Sequence, residues 1–314
     1  MTTVDVATVE RFEANRDRLA SVAYRLLGSA ADAEDVVQDA FLRWRTADHG
    51  RIDVPEAWLT KIATNLAIDR LRSAKMRHER AVGTWLPEPL LDGDPMLGPA
   101  ETVEQRESVT LAVLTIMERL TPVERAVYVL REAFSHSHRE IAEILEITES
   151  ASQQHALRAR RRIAAERTSN TVDAAAARQI VAAFVAAASS GDTQRLLALL
   201  TDDVTATTDG AGLAKRLLHF SGPRRIAIIV RAAFRDSPTR REQIGSAPTA
   251  YAHLVNGSPA MIAVVDDRVV GMAMLDMHGD KIGAVRAMAA PDKLERITAR
   301  WQQQSHDDPV SVAW

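Results

Sequence analysis

The sequence predicts a multidomain chain: two all-α domains followed by a C-terminal α+β domain. Three observations point that way. The length of 314 residues exceeds one ordinary domain. Apolar residues recur at helical spacing through the first half, and short strands separated by turn residues appear after residue 200. Between the helical stretches, residues 83–100 alternate Pro87, Pro89, Pro95 and Pro99 with Gly83, Gly93 and Gly98. With 46% apolar and 26% charged residues the chain can bury real cores, and with aromatics at only 4% Ala, Leu, Val and Ile must fill them.

The first domain is expected over residues 1–80. Phe12, Leu19, Val22, Ala23, Leu26 and Leu27 share a helical face, and Gly28 ends that helix. Ser29 with Asp32 resembles a capping box, with Asp in place of Glu. Ala33, Val37, Ala40, Phe41 and Trp44 then form one stripe, opposite Glu34, Asp35, Gln38, Asp39 and Arg43. Pro55 suits a helix first turn, and Trp58, Leu59, Ile62, Leu66 and Leu71 continue behind it. Residues 81–107 read as a linker, although Trp85-Leu86-Pro87-Glu88-Pro89-Leu90 is apolar enough to dock on something. The second domain is expected over 108–168. Thr121-Pro122-Val123-Glu124 is a strong start signal for a helix running to Phe134. Ser137 and Glu140 start a short helix through Ile141, Ile144 and Leu145. The turn Glu146-Ile147-Thr148 then leads into a basic helix, which together make a helix-turn-helix. Over 174–296 an Ala-rich helix, 174–189, precedes strands at 204–208, 251–255, 261–265, 269–275 and 282–288. Asn256-Gly257, Asp266-Asp267 and Gly279-Asp280 separate the later strands as hairpin turns, so an antiparallel meander is expected. Residues 297–314 read as a tail.

Charge is informative only locally. The net charge is −3, yet Arg70, Arg72, Lys75, Arg77 and Arg80 stand against Glu79, and Arg158, Arg160, Arg161, Arg162 and Arg167 against Glu166. Two basic clusters flanking an acidic stretch can form a DNA footprint that the global sum hides; a solvated helix face is the alternative for either cluster alone. Without Cys there are no disulfides, thiolate zinc sites or Cys nucleophiles. Met1 to Arg16 is charged throughout, and no apolar run approaches 18 residues. No secretory leader, no membrane partner and a cytoplasmic location are therefore expected. His136 and His138 lack acidic ligands at suitable spacing, so no metal and no cofactor are expected. Asp209, His219, Asp276 and His278 are the candidates for acid–base work in the third domain, but no pair among them has a spacing that demands catalysis, so no enzyme is expected.

Two tracts carry a resemblance. Asp35-Val36-Val37-Gln38-Asp39-Ala40-Phe41, followed by Asn65-Leu66-Ala67-Ile68-Asp69-Arg70-Leu71-Arg72, resembles the second conserved region of extracytoplasmic-function (ECF) sigma factors, promoter-recognition subunits of bacterial RNA polymerase. Thr121 to Arg162 resembles their fourth conserved region. The resemblance implies that Asp35, Gln38, Asp39 and Arg43 dock on core RNA polymerase, whose β′ and β subunits would be partners. It also implies that promoter DNA is held at two places. Asn65 offers an amide to a melted −10 base, and Arg70, Arg72, Lys75 and Arg77 offer phosphate contacts. Ser150, Gln153 and Gln154 would face −35 bases, with Arg158, Arg161 and Arg162 nearer phosphates. The chain departs from the family at Glu146, where Gly is usual, at Ser152 and His155, where apolar residues are expected, and at Gln153, where a base is common.

Residues 174–296 resemble a SnoaL-like cone, a curved sheet closed by helices, as in the SigJ-type subgroup of these factors. Trp85-Leu86-Pro87-Glu88-Pro89 and Pro291-Asp292-Lys293-Leu294 match that subgroup, and Asp209-Gly210-Ala211-Gly212 with Lys215 matches in part. The resemblance implies that Trp85, Leu86, Pro87, Asp209, Asp292 and Lys293 mediate regulation between domains. The expected function is an alternative sigma factor modulated in cis by its third domain, which could take a small-molecule ligand. Two alternatives stay open: a ligand-sensing helix-turn-helix regulator without polymerase contact, and a SnoaL-like isomerase or hydrolase with an accessory helical domain.

Overall fold

The computed structural model describes residues 6–78, 86–166, 172–210, 217–235, 242 and 244–312. They divide into two compact units. One takes the described residues up to 78, 86–88 and 93–166; the other takes 89–92 and those from 172 onward. The helical domains expected at 1–80 and 108–168 thus belong to one packed unit.

In the helical unit, α1 (Val6–Leu27) buries Phe12, Leu19, Val22, Ala23 and Leu26. It stops at Gly28, whose φ of 66° is open to Gly at little cost. Helix α2 (Ala30–Thr46) starts at Ser29, whose hydroxyl accepts from the Asp32 amide at 3.2 Å. The carboxylate that meets its first-turn amides is that of Glu88, at 2.7 Å from the Ala30 nitrogen. Trp44 is buried, donates to the Thr8 carbonyl at 2.8 Å and lies 5.7 Å from the Trp58 ring, which joins α2 to α3 (Pro55–His78).

The linker expected at 81–107 is folded wherever it is described. A 3₁₀ turn forms at Pro95–Leu97, α4 spans Val103–Glu107, and Leu86, Leu90, Leu91 and Met96 are buried. The second half of the linker, from Pro99 onward, is held by Arg25, a fully buried cation. It donates to the Ser108 hydroxyl at 3.0 Å and to the Pro99 and Gln105 carbonyls at 3.3 Å, and it also bonds Ser21. Gly98 has a φ of 66°, and a Cβ there would collide with Ser21 and Arg25, so only Gly fits. Helices α5 (Leu111–Met117) and α6 (Pro122–Tyr128) follow. The helix expected to continue to Phe134 widens into a π turn at Val129–Ala133. Helices α7 (His138–Leu145) and α8 (Glu149–Glu166) complete the expected helix-turn-helix. The capping boxes at Thr121/Glu124 and Ser137/Glu140 both form.

The second unit sets helices α9 (Ala174–Ser189) and α10 (Thr193–Leu199) before the sheet. Strands are β1 (Leu200–Thr208), β2 (Leu218–Ser221), β3 (Thr249–Val255), β4 (Ser258–Val265), β5 (Arg268–His278), β6 (Lys281–Met288) and β7 (Ser311–Val312). Their order is β2-β1-β6-β5-β4-β3-β7. The meander is present from β3 to β6, with both residues of the Asn256-Gly257 and Asp266-Asp267 turns at positive φ. The sheet as a whole is mixed, because β1 runs parallel to β6, Thr205 opposite Ala284. Helix α11 (Pro223–Ala233) and the apolar faces of α9 and α10 pack on the sheet through Phe184, Leu196, Ile226, Val230, Leu275 and Val285.

The tail expected at 297–314 is also structured. Helix α12 (Pro291–Trp301) buries Leu294, Ile297 and Trp301 at helical spacing, and β7 pairs with β3. The strap residues 89–92 join this unit. Leu91 bridges Val255, and the Leu90 amide donates to the Asn256 side chain at 2.8 Å. Strap and β7 cover different parts of the β3 edge, which would otherwise expose unpaired amides.

Candidate nucleic-acid interface

The helix-turn-helix is built locally. Ser137 caps α7, Glu146 takes a left-handed φ of 56° at its C-terminus, and Val127, Leu130, Ile141, Ile144 and Ala156 form the core beneath. The two unusual positions are explained by packing. Ser152 is buried and shares a 2.9 Å hydrogen bond with His138, so a polar residue is satisfied there. His155 is half-buried and bonds Arg158 at 2.8 Å; burial first, then Arg158, lowers its pKa. The exposed face of α8 carries Ser150, Gln153, Gln154, Leu157 and Arg161. Among the described residues, Arg161 has no ion-pair partner.

Arg158 and Arg162 are placed differently from Arg161. Both bind the buried Glu124 carboxylate, at 2.9 and 3.1 Å, while Arg160 binds Glu132. Burial pushes Glu124 up, but the Thr121 amide and hydroxyl with Arg158 and Arg162 outweigh it and hold the carboxyl below its ordinary range. The pair neutralises much of the positive charge that the sequence assigns to DNA. Glu124 is legible as a cap, but its second role is not, since its arginines are 34 and 38 residues away.

A similar rearrangement occurs on the first tract. Arg70 lies 3.0 Å from Asp35 and 2.9 Å from Asp39. Burial works against its charge, yet the two carboxylates raise its pKa overall. The structure thus joins Arg70 to the acidic face of Asp35, Gln38, Asp39 and Arg43, of which Gln38 and Arg43 are exposed. Arg72 is exposed and, among the described residues, pairs with Asp69 alone, at 3.4 Å. Asn65 is half-buried on α3 and has no hydrogen-bond partner among the described residues. The side chains of Lys75 and Arg77 lie outside the described residues.

Helix α3 also packs against α6 and α7, where Lys61 binds Glu146 at 2.9 Å. The sequence marks Glu146 only as a turn residue where Gly is usual and does not mark Lys61, and no local pattern joins the two.

Of the interdomain candidates, Trp85 lies outside the described residues, and Leu86 and Pro87 are buried. Asp209 is buried, and its carboxylate accepts from the Ala289 amide at 3.1 Å and the Ala290 amide at 3.0 Å, clasping the start of α12. Asp292 is exposed and Lys293 half-exposed on the first turn of α12. Asp209→Ala should orphan two backbone donors and cost about 2 kcal/mol. Thermal unfolding should show the loss, with Asp209→Asn recovering part of it through its remaining oxygen.

Residues 11–77 match the Sigma-70 region 2 family and residues 110–163 the Sigma-70, region 4 family. The ECF RNA polymerase sigma factor SigJ of Mycobacterium tuberculosis is 45% identical over 158 residues, half of this chain and half of that protein. The probable ECF RNA polymerase sigma factor SigI of the same species is 33% identical over 294 residues, 92% of this chain and 95% of that protein. The crystal structure of the M. tuberculosis SigJ superposes with a TM-score of 0.67 at 32% identity, covering 91% of this chain and 97% of that one.

Proposed function

Because the chain belongs to the ECF RNA polymerase sigma factors, we propose that it binds core RNA polymerase and directs it to promoters. The observation that carries this reading is the exposed Ser150, Gln153, Gln154 and Arg161 face of α8 on a helix-turn-helix whose other arginines are held by carboxylates. Gln amides on that face suit adenine edges in the major groove, and Leu157 beside them suits a thymine methyl. On α3, the unpartnered Asn65 amide receives an unstacked −10 base, and Arg72 with Lys75 and Arg77 follows its backbone. The α2 face with Asp35, Gln38, Asp39 and Arg43 docks on the polymerase, and Arg70 presents its carboxylates rather than touching phosphate. A native gel with purified core polymerase tests this. A complex with the chain is expected, and its absence would favour a regulator that works without polymerase.

Asn65→Ala should lower promoter opening about tenfold while leaving duplex −35 binding intact. Permanganate footprinting of the melted bases would read the difference.

The two elements lie about 25 base pairs apart by their names, roughly 85 Å at 3.4 Å per pair. Packed helices sit about 8–10 Å apart. Both elements are therefore read together only after α3 leaves α6 and α7. Lys61→Ala removes an exposed pair from that contact and should modestly raise promoter binding by the free chain; an unchanged titration would contradict it.

The third domain modulates these steps and has no catalytic step of its own. Each candidate acid or base is already engaged or exposed. Asp209 caps α12, Asp276 pairs with the buried Arg286, His219 meets Thr207 at 3.1 Å, and His278 faces solvent.

A further inference from the structure

The second unit contains a cavity of about 1000 Å³ between the inner sheet face and α9, α11 and α12. Interiors normally pack without voids of this size. Its inner wall is apolar: Phe184, Phe220, Ile226, Phe234, Met261 and Val285. Water there would find few partners, so the wall suits hydrocarbon. Toward the other end of the lining stand Arg268 and Glu295, its only charged side chains among the described residues, both exposed. That end is held in place: the Val269 amide donates to the Thr298 hydroxyl at 3.3 Å, and Gln302 donates to the Asp267 carbonyl at 3.3 Å. Among the described residues, Arg268 has no ion-pair partner, neither Glu295 nor any other carboxylate.

We propose that this cavity binds an amphipathic monocarboxylate of the fatty-acid type, its chain against the phenylalanines and its carboxylate at Arg268. An apolar cavity with an unpaired cation such as Arg268 at its mouth recognises a long chain ending in a negative charge. Gly210 and Ala289 also line the cavity, and Asp209 between them in space clasps α12, so an occupant would press on the elements that set the start of that helix.

The test uses the full chain and the fluorescent fatty acid cis-parinaric acid. Saturable binding below its micelle concentration is expected, with displacement by oleate and much weaker displacement by oleylamine. Arg268→Ala should weaken oleate binding about tenfold and leave oleyl alcohol binding unchanged. Ala273→Phe, which fills the cavity from β5, should abolish binding. No saturable binding, equal displacement by oleylamine, or full oleate affinity in Arg268→Ala would each overturn the proposal. None of these readouts depends on promoter recognition.

Discussion

Arg25→Ala is expected to destabilise the helical unit by about 3 kcal/mol. Arg25 is fully buried and pairs with no carboxylate among the described residues; burial pulls its pKa down to about 9, so it is still charged at neutral pH. The charge is carried by oxygens from three segments: Ser21 on α1, Pro99 and Gln105 before and within α4, and Ser108 beyond it. The guanidinium also lies over the Phe134 ring at 5.4 Å, and the Arg25 carbonyl accepts from Arg125 at 3.4 Å. Truncation would leave a cavity and strip donors from two carbonyls at once. Arg25→Met, which keeps most of the volume, should cost less than Ala. Hydrogen exchange should quicken in α1, α4 and α6 and stay unchanged in β3 to β6. A variant with unaltered protection in those helices would show that Arg25 does not hold them together.

The second large effect is expected at Gln153 and Gln154. Each bidentate amide–adenine contact gives about 1–3 kcal/mol of discrimination. The double Ala variant should therefore lose most preference for its −35 sequence over scrambled DNA. Its salt dependence should be unchanged, because neither side chain carries charge. Arg161→Ala should behave in the opposite way, weakening all sequences alike and lowering the salt slope by about 0.9. Arg158→Ala should mainly release buried Glu124 and register as instability. Fluorescence anisotropy over a salt series separates the three. An intact preference in the double Gln variant would displace the reading face from the start of α8.

Features set within a few residues were legible in the sequence. The caps at Thr121 and Ser137, the Pro122 start, the turn after Leu145 and the Asn256-Gly257 hairpin each depend on neighbours in the chain, and each stands where its spacing puts it. Features set by distant partners were not legible. Arg70 sits with Asp35 and Asp39 because α2 and α3 pack antiparallel through Trp44 and Trp58, and charge counting along α3 cannot register that. Glu88 caps α2 from 58 residues away, within a segment whose prolines suggest a tether. The parallel pairing of β1 with β6 leaves no mark on alternation, which is the same in either direction. Helix α12 was hidden by its charged composition, although Leu294, Ile297 and Trp301 carry the helical period. Of the residues proposed to read DNA, Gln153 and Gln154 are exposed and Asn65 has no hydrogen-bond partner among the described residues, while Arg158, Arg162 and Arg70 are already paired.

Run-off transcription with purified core polymerase on host genomic fragments puts the whole account at risk in one assay. Discrete transcripts should appear only when the chain is added, and Asn65→Ala should diminish them while the complex with polymerase persists. Silence at every fragment, with core and chain both shown to be active and folded, would contradict the assignment of promoter choice to this protein.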